Sequence, residues 1–349
     1  MEPLPHPQPA PGTARRRARD LGIIIGPAAT GPFNAITDVP GVRVGHTTVR
    51  RPPDVHSGVT AVVPDLVSPH APVPAGVFTG NGYGKLIGTT QLSELGTLET
   101  PVLLTSTLSA FRVADALVGW MLQRPECEGV QSLNPVVGEC NDGLLSDIRA
   151  RPVHEEHVRA ALDEASGGPV AEGCVGAGTG TVALGFKAGI GTASRTPELA
   201  GGGCTVGVLV QANFGGTLRV LGRTLTPRSV GVGAGAPIPA DTGSCMIVVA
   251  TDAPLDARQL TRVARRAVFA LARTGAAYCH GSGDYAIAFS TRPDGAPVAD
   301  AGLGPLFEAV LDAVEEAVLN SLLAATTTTG FGGRTVPALP ADPLLAAAD

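Results

Sequence analysis

The 349-residue chain is 44% hydrophobic and 16% charged, which is enough apolar content for a sizeable core and excludes general disorder. A formal net charge of −6 gives no electrostatic case for a nucleic-acid partner, and no apolar run approaches the roughly 20 residues a membrane-crossing helix needs. The six cysteines (127, 140, 174, 204, 245 and 279) form no CxxC pair, and the seven histidines show no zinc spacing; His154 and His157 have no third ligand nearby. No metal site is therefore expected, and scattered thiols point to a reducing compartment, the cytoplasm.

Residues 1–20 are Pro-rich and then Arg-rich, without apolar periodicity, and read as a disordered leader. Residues 34–41 read as a loop, followed by strands at 42–49 and 58–63 on either side of Arg51-Pro52-Pro53-Asp54. A strand at 73–79 enters the Gly-rich loop 80–85, either a tight turn or a place where backbone approaches a ligand. Residues 101–105 predict a strand. Residues 106–123 predict a helix with Phe111, Ala114, Leu117, Val118 and Met121 on one stripe. Residues 133–137 predict another strand, and 154–165 an amphipathic helix stopped by Ser166-Gly167-Gly168-Pro169.

The stretch 172–180 looks like a phosphate loop but lacks both the dinucleotide GxGxxG opening a helix and a Gly-Lys-Ser/Thr; a β-rich run, 182–186, follows it. It reads as a structural Gly loop near a site. Residues 205–211 form an apolar strand leading to Asn213, and strands at 217–223 and 228–233 are expected next. Residues 256–274 predict a helix opened by an Asp256/Gln259 capping box, with Arg258, Arg262, Arg265 and Arg266 mostly off its apolar face. A Gly-rich entry at 281–283 leads into a strand to 290. Residues 303–325 predict a long helix with Phe307, Val310, Val314, Val318 and Leu322 inward, and the chain after 333 reads as a loose tail. Strands outnumber helices, and helices come late in each half. That predicts an α/β (α+β) fold of two packed sheets with helices outside, as a single domain over 21–332.

Chemistry centres on 241–252, a loop feeding a buried strand with Ser244 at the junction and Gly243 before it. Attack by the Ser244 hydroxyl on the Gly243 carbonyl gives an ester. Its hydrolysis frees Ser244 as a new N-terminus whose amine, with a reference pKa of about 7.7–8.0, can act as base for its own hydroxyl. Read from the dipeptide alone, a loop-to-strand junction without chemistry is the favoured reading, because so short a motif recurs by chance. Ser282 and Asp284, two apart in an extended segment, share one face; the carboxylate can orient the hydroxyl or stabilise a nearby ammonium. Asn213 ends a strand and can donate its amide to an oxyanion. Each is also an ordinary turn residue.

These residues sit among blocks that resemble the L-aminopeptidase/D-esterase–amidase family, which includes the β-aminopeptidases. The blocks are Asn34-Ala35-Ile36-Thr37-Asp38-Val39-Pro40-Gly41-Val42-Arg43-Val44-Gly45-His46, Phe186-Lys187-Ala188-Gly189-Ile190-Gly191, Val206-Gly207-Val208-Leu209-Val210-Gln211-Ala212-Asn213 and Ile247-Val248-Val249-Ala250-Thr251-Asp252. The resemblance runs from about Asn34 to Ala325. It implies an αββα sandwich, self-cleavage between Gly243 and Ser244, and hydrolysis of short peptides, amides or esters by an N-terminal serine. It also implies a homo-oligomer, a tetramer or larger, without metal or cofactor. It puts the nucleophile at Ser244, the oxyanion donor at Asn213 and the Ser-Gly-acidic element at Ser282-Gly283-Asp284. The family's acid here is often Glu, one methylene longer than Asp284. Some members use a tyrosine from the segment matching 136–148, where this chain has none; its tyrosines are Tyr83, Tyr278 and Tyr285. An ornithine-type acetyltransferase, which usually carries a threonine nucleophile, and a non-catalytic binding protein on the same fold are the alternatives.

Overall fold

The structure is a computed structural model that describes residues 16–65, 67–233, 235–237, 243–295 and 298–345. β1 (Val42–Arg51) and β2 (Val55–Pro64) form an antiparallel hairpin, and β3 (Val73–Gly82) then leaves for a second sheet. β4 (Leu86–Ile87), α1 (Thr89–Glu94), β5 (Thr97–Leu98), β6 (Val102–Ser106), α2 (Ala110–Met121), β7 (Val136–Cys140) and α3 (Glu155–Asp163) follow. A ribbon of β8 (Val182–Ala183) and β9 (Phe186–Lys187) precedes β10 (Ile190–Arg195). A second, β11 (Glu198–Leu199) with β12 (Gly202–Gly203), precedes β13 (Val206–Asn213). A third, β14 (Leu218–Val220) with β15 (Arg223–Leu225), precedes β16 (Gly243–Thr251), α4 (Ala257–Thr274), β17 (Ser282–Ser290) and α5 (Gly304–Leu323). β18 (Thr328–Thr329), β19 (Thr335–Val336) and α6 (Asp342–Leu345) close the chain.

Two sheets carry the fold, ordered β1-β2-β6-β7-β4 and β10-β13-β16-β17-β3-β5. β16 and β17 are parallel, joined by the α4 crossover, and every other pair in the six-stranded sheet is antiparallel. Val62, Val102, Leu104 and Val136 of one sheet meet Leu209, Met246, Val248 and Ile287 of the other. The second sheet buries its other face against α4 and α5, and the first against α2 and α3. Because both faces of the central strands are covered, β2, β13 and β17 are buried along their whole length. The result is the expected αββα sandwich.

Several expectations need correction. The leader prediction, residues 1–20, fails at its end, the rest lying outside the described residues. Ala18 is buried, and Arg17 donates to the carbonyls of Phe33, Asn34 and Thr192. The loose-tail prediction for 333–349 fails where β19 pairs with β18, Lys187 N donates to Pro337 O, and Val336 and Leu339 are buried. Residues 228–231 form turns and 232–233 are irregular, so no strand forms there. Phe111, placed on the buried stripe of α2, is 65% exposed; Ala114, Leu117 and Met121 of that stripe are buried, and Val113 and Trp120 join them.

Candidate active site

Ser244 is the second residue of β16, and the strands on either side set its place. It stands opposite Asn213 of antiparallel β13 and beside Gly283 of parallel β17. Side chains alternate faces along a strand. Cys245 and Ile247 pack on the helix layer, Met246 and Val248 between the sheets. Ser244 therefore shares the inter-sheet face with Met246. Asn213 shares it too, since Val210 and Ala212 of β13 pack on the helices.

Ser244 is 3% exposed. The Asn213 amide oxygen accepts from Val182 N at 3.0 Å, so its NH2 group is the end turned toward the serine. Asn213 Nδ2 reaches Asn141 O at 3.1 Å and Ser244 Oγ at 3.5 Å. The second contact is long for a hydrogen bond, which suits a donor meant for an oxyanion beside the serine rather than for the serine itself. Cys140 Sγ approaches Ser244 O at 3.6 Å, and burial pushes the thiols of Cys140 and Cys245 far above their ordinary range. Neither cysteine competes as a nucleophile.

Ser282 and Asp284 lie on the helix-facing side of β17, with Ala286 and Ala288. Ser282 Oγ donates to Asp284 Oδ1 at 2.9 Å. Ser282 is in register with Gly243, and a Cβ placed on Gly243 would come 3.2 Å from Ser282 Oγ. The pair thus stands beside the Gly243–Ser244 peptide, where a freed α-amine would emerge, rather than beside the hydroxyl. Asp284 is 1% exposed and its Oδ2 has no hydrogen-bond partner among the described residues. Burial pushes its carboxyl from 3.8 up to about 6, with the Ser282 hydroxyl pulling the other way. A buried carboxylate without a cation is a costly arrangement that an ammonium nearby would relieve.

A cavity of about 540 Å³ opens on this end of the sheet, bounded by Asn141, Gly143, Leu144, Asn213, Gly243 and Arg334, among others. Its size suits a small-molecule substrate. Three contributors were missed in the sequence. Asn141 meets Asn213 through its backbone carbonyl, which no residue pattern reveals. Glu139 was visible as a lone acid in an apolar stretch. Its buried carboxylate accepts from Lys85 N at 2.8 Å and from the Thr107 hydroxyl, and burial raises its pKa. A side chain on Gly84 would meet both Glu139 and Gly283, so this acid lies just across Gly84 from the strand beside Ser244. Arg334 comes from the presumed tail.

None of the three tyrosines lines the cavity; Tyr278 and Tyr285 donate to the carbonyls of Val268 and Gly84. Among the described residues no His, Cys, Asp or Glu side chains converge as a metal site, and no helix is long and apolar enough to cross a membrane. The stretch 172–180 proves structural. The carbonyls of Gly178 and Thr181 hold the buried Lys187 ammonium, and Ala177 O accepts from Gln211.

Residues 34–336 match the model of peptidase family S58. The β-peptidyl aminopeptidase BapA of Sphingosinicella microcystinivorans is 41% identical over 93% of this chain and 89% of its own. The solved structure of a β-aminopeptidase from Burkholderia sp. is 41% identical with a TM-score of 0.82, covering 95% of this chain and 98% of that one. The L-aminopeptidase D-Ala-esterase/amidase of Ochrobactrum anthropi, described as a variant of the Ntn hydrolase fold, is 39% identical. Its TM-score is 0.84, with coverage of 95% and 97%.

Proposed function

This chain belongs to peptidase family S58, and we propose that it is cut once, between Gly243 and Ser244, to make its own nucleophile. The protein is a hydrolase of the aminopeptidase and amidase-esterase type with an N-terminal nucleophile. The residue roles are our reading. Ser244 Oγ attacks the Gly243 carbonyl carbon, the peptide nitrogen leaves with a proton, and water hydrolyses the ester. A Gly243 carboxylate and a Ser244 amine result. In turnover that amine takes the hydroxyl proton as Oγ attacks a substrate carbonyl. Asn213 Nδ2 meets the oxyanion, the departing amine takes the proton back, and water releases the acyl group. Asp284, through Ser282, stabilises the ammonium that exists between those transfers.

The observation that carries this reading is the Asn213 amide turned on Ser244 Oγ at a strand end, with Ser282 beside the bond to be cut. On a denaturing gel the purified protein should run as two bands, the smaller beginning Ser-Cys-Met-Ile. Ser244→Ala should stay as one band and hydrolyse no aminoacyl anilide. A single full-length band that is active, or a processed Ser244→Ala, would sink the assignment.

The reading extends to a cytoplasmic homo-oligomer of four or more copies acting on short peptides, amides or esters. Six free cysteines support the reducing compartment, and the exposed Leu95, Phe111 and Phe269 support burial by further copies. Light scattering on the eluting protein tests the copy number.

A further inference from the structure

The surroundings of Ser244 have two electrically different sides, only one of them in the wall of the cavity. The buried carboxylates Asp284 and Glu139 lie on the β17 and β7 side of Ser244. Across the serine, the cavity wall carries no acid among the described residues, and its one formal charge is Arg334. Arg334 is held in place by contacts to neutral groups. Its Nη1 donates to Gly143 O at 3.3 Å and Leu144 O at 3.0 Å, and its guanidinium lies 5.7 Å from the Phe331 ring centre. No carboxylate pairs with it among the described residues. Its remaining N–H groups form a planar fork suited to two carboxylate oxygens.

An aminopeptidase substrate has an ammonium at one end and, when it is a short peptide, a carboxylate at the other. The acidic side of the serine suits the first and the Arg334 side suits the second. Resting on the hydrolase reading above, we infer that Arg334 is a specificity-determining residue that receives the free C-terminal carboxylate of the leaving portion. The preferred substrate class is then di- and tripeptides with a free carboxylate, rather than their C-terminal amides or longer chains. The cavity, about 540 Å³, holds a leaving group of one or two residues.

The test compares kcat/KM for one dipeptide and its C-terminal amide, using the cleaved protein and its Arg334→Gln and Arg334→Lys variants. The native protein should favour the free acid by roughly tenfold, mainly through KM, and the preference should shrink as salt rises. Arg334→Gln should collapse the acid-to-amide ratio toward one, and Arg334→Lys should restore part of it. A native protein without preference overturns the inference. So does an Arg334→Gln variant that keeps the ratio, as expected if the freed Gly243 carboxylate occupies the guanidinium instead. Equal loss on both compounds also overturns it, because Arg334 would then serve only to hold the 143–144 backbone. Hydrolysis of neither compound by the cleaved native protein would instead remove the aminopeptidase reading itself, so the two failures are separable.

Discussion

Asn213 divides its amide between Asn141 O and Ser244 Oγ, and only the second direction bears on reaction. Asn213→Ala is expected to lower kcat by about two to three orders of magnitude with little change in KM, measured on an aminoacyl anilide. An unchanged kcat removes it from the site. Asp284 carries a pH signature. Its folded pKa, about 6, lies above its ordinary 3.8, so its contribution to stability is fully present below about pH 3.8 and lost as pH rises through about 6. Uncut Ser244→Ala protein should lose Tm across that window, and adding Asp284→Asn should flatten that part. Asp142 and Glu172, each pushed to about 7, continue the fall in both proteins, so the difference between the two melting curves is the readout. In cleaved protein Asp284→Asn should lose most turnover and shift the acid limb of its rate profile to lower pH, since the amine loses the carboxylate that raised its pKa. Ser244, Asn213, Ser282 and Asp284 drew notice in the sequence as polar residues at or near strand ends beside glycines or turns, and strand pairing brings Ser244 beside Asn213 and Gly243 beside Ser282. Arg334 drew none, because its meaning lies in contacts with Gly143 and Leu144, some 190 positions away.

At the scale of the element, periodicity found the long pieces and missed what pairing decides. α4 and α5 fell within a residue or two of their expected ends, and the Asp256/Gln259 box caps α4 as expected. β7 did not. Apolar character alone placed a strand at 133–137, whereas pairing with β6 and β4 shifts it to Val136–Cys140 and buries Glu139. β10 went unpredicted because Gly191, Thr192 and Ser194 dilute its apolar pattern. Gly191 is there for close approach, since a Cβ at that position would stand 1.9 Å from Ala317 O of α5. Gly191→Ala should therefore cost about 1–3 kcal/mol or more by forcing α5 off the sheet, read as a lowered denaturation midpoint. Gly167→Ala, with nothing within 4 Å, is the control and should stay within about 0.5 kcal/mol.

For the whole molecule, strand-rich halves with late helices were enough to anticipate two sheets between helix layers. The termini were misread because their composition is loop-like while their anchoring is remote. Arg195 and Glu316, both fully buried, pair at 2.6 Å, and Arg19 and Asn34 join the same carboxylate. Glu316→Gln should cost about 3–5 kcal/mol by leaving Arg195 uncompensated. Limited proteolysis should then cut near Arg17 and Arg19 before any global unfolding. The strand order has one more consequence. A cut before Ser244 puts β16 and β17 on the smaller polypeptide, and both are clasped between β13 and β3 of the larger. Covalent continuity is then dispensable once folding is complete but not before it. After complete denaturation the two pieces can regain the sheet only by meeting, so recovery should follow second-order kinetics and fail at high dilution. Uncut Ser244→Ala protein should recover at a rate independent of concentration.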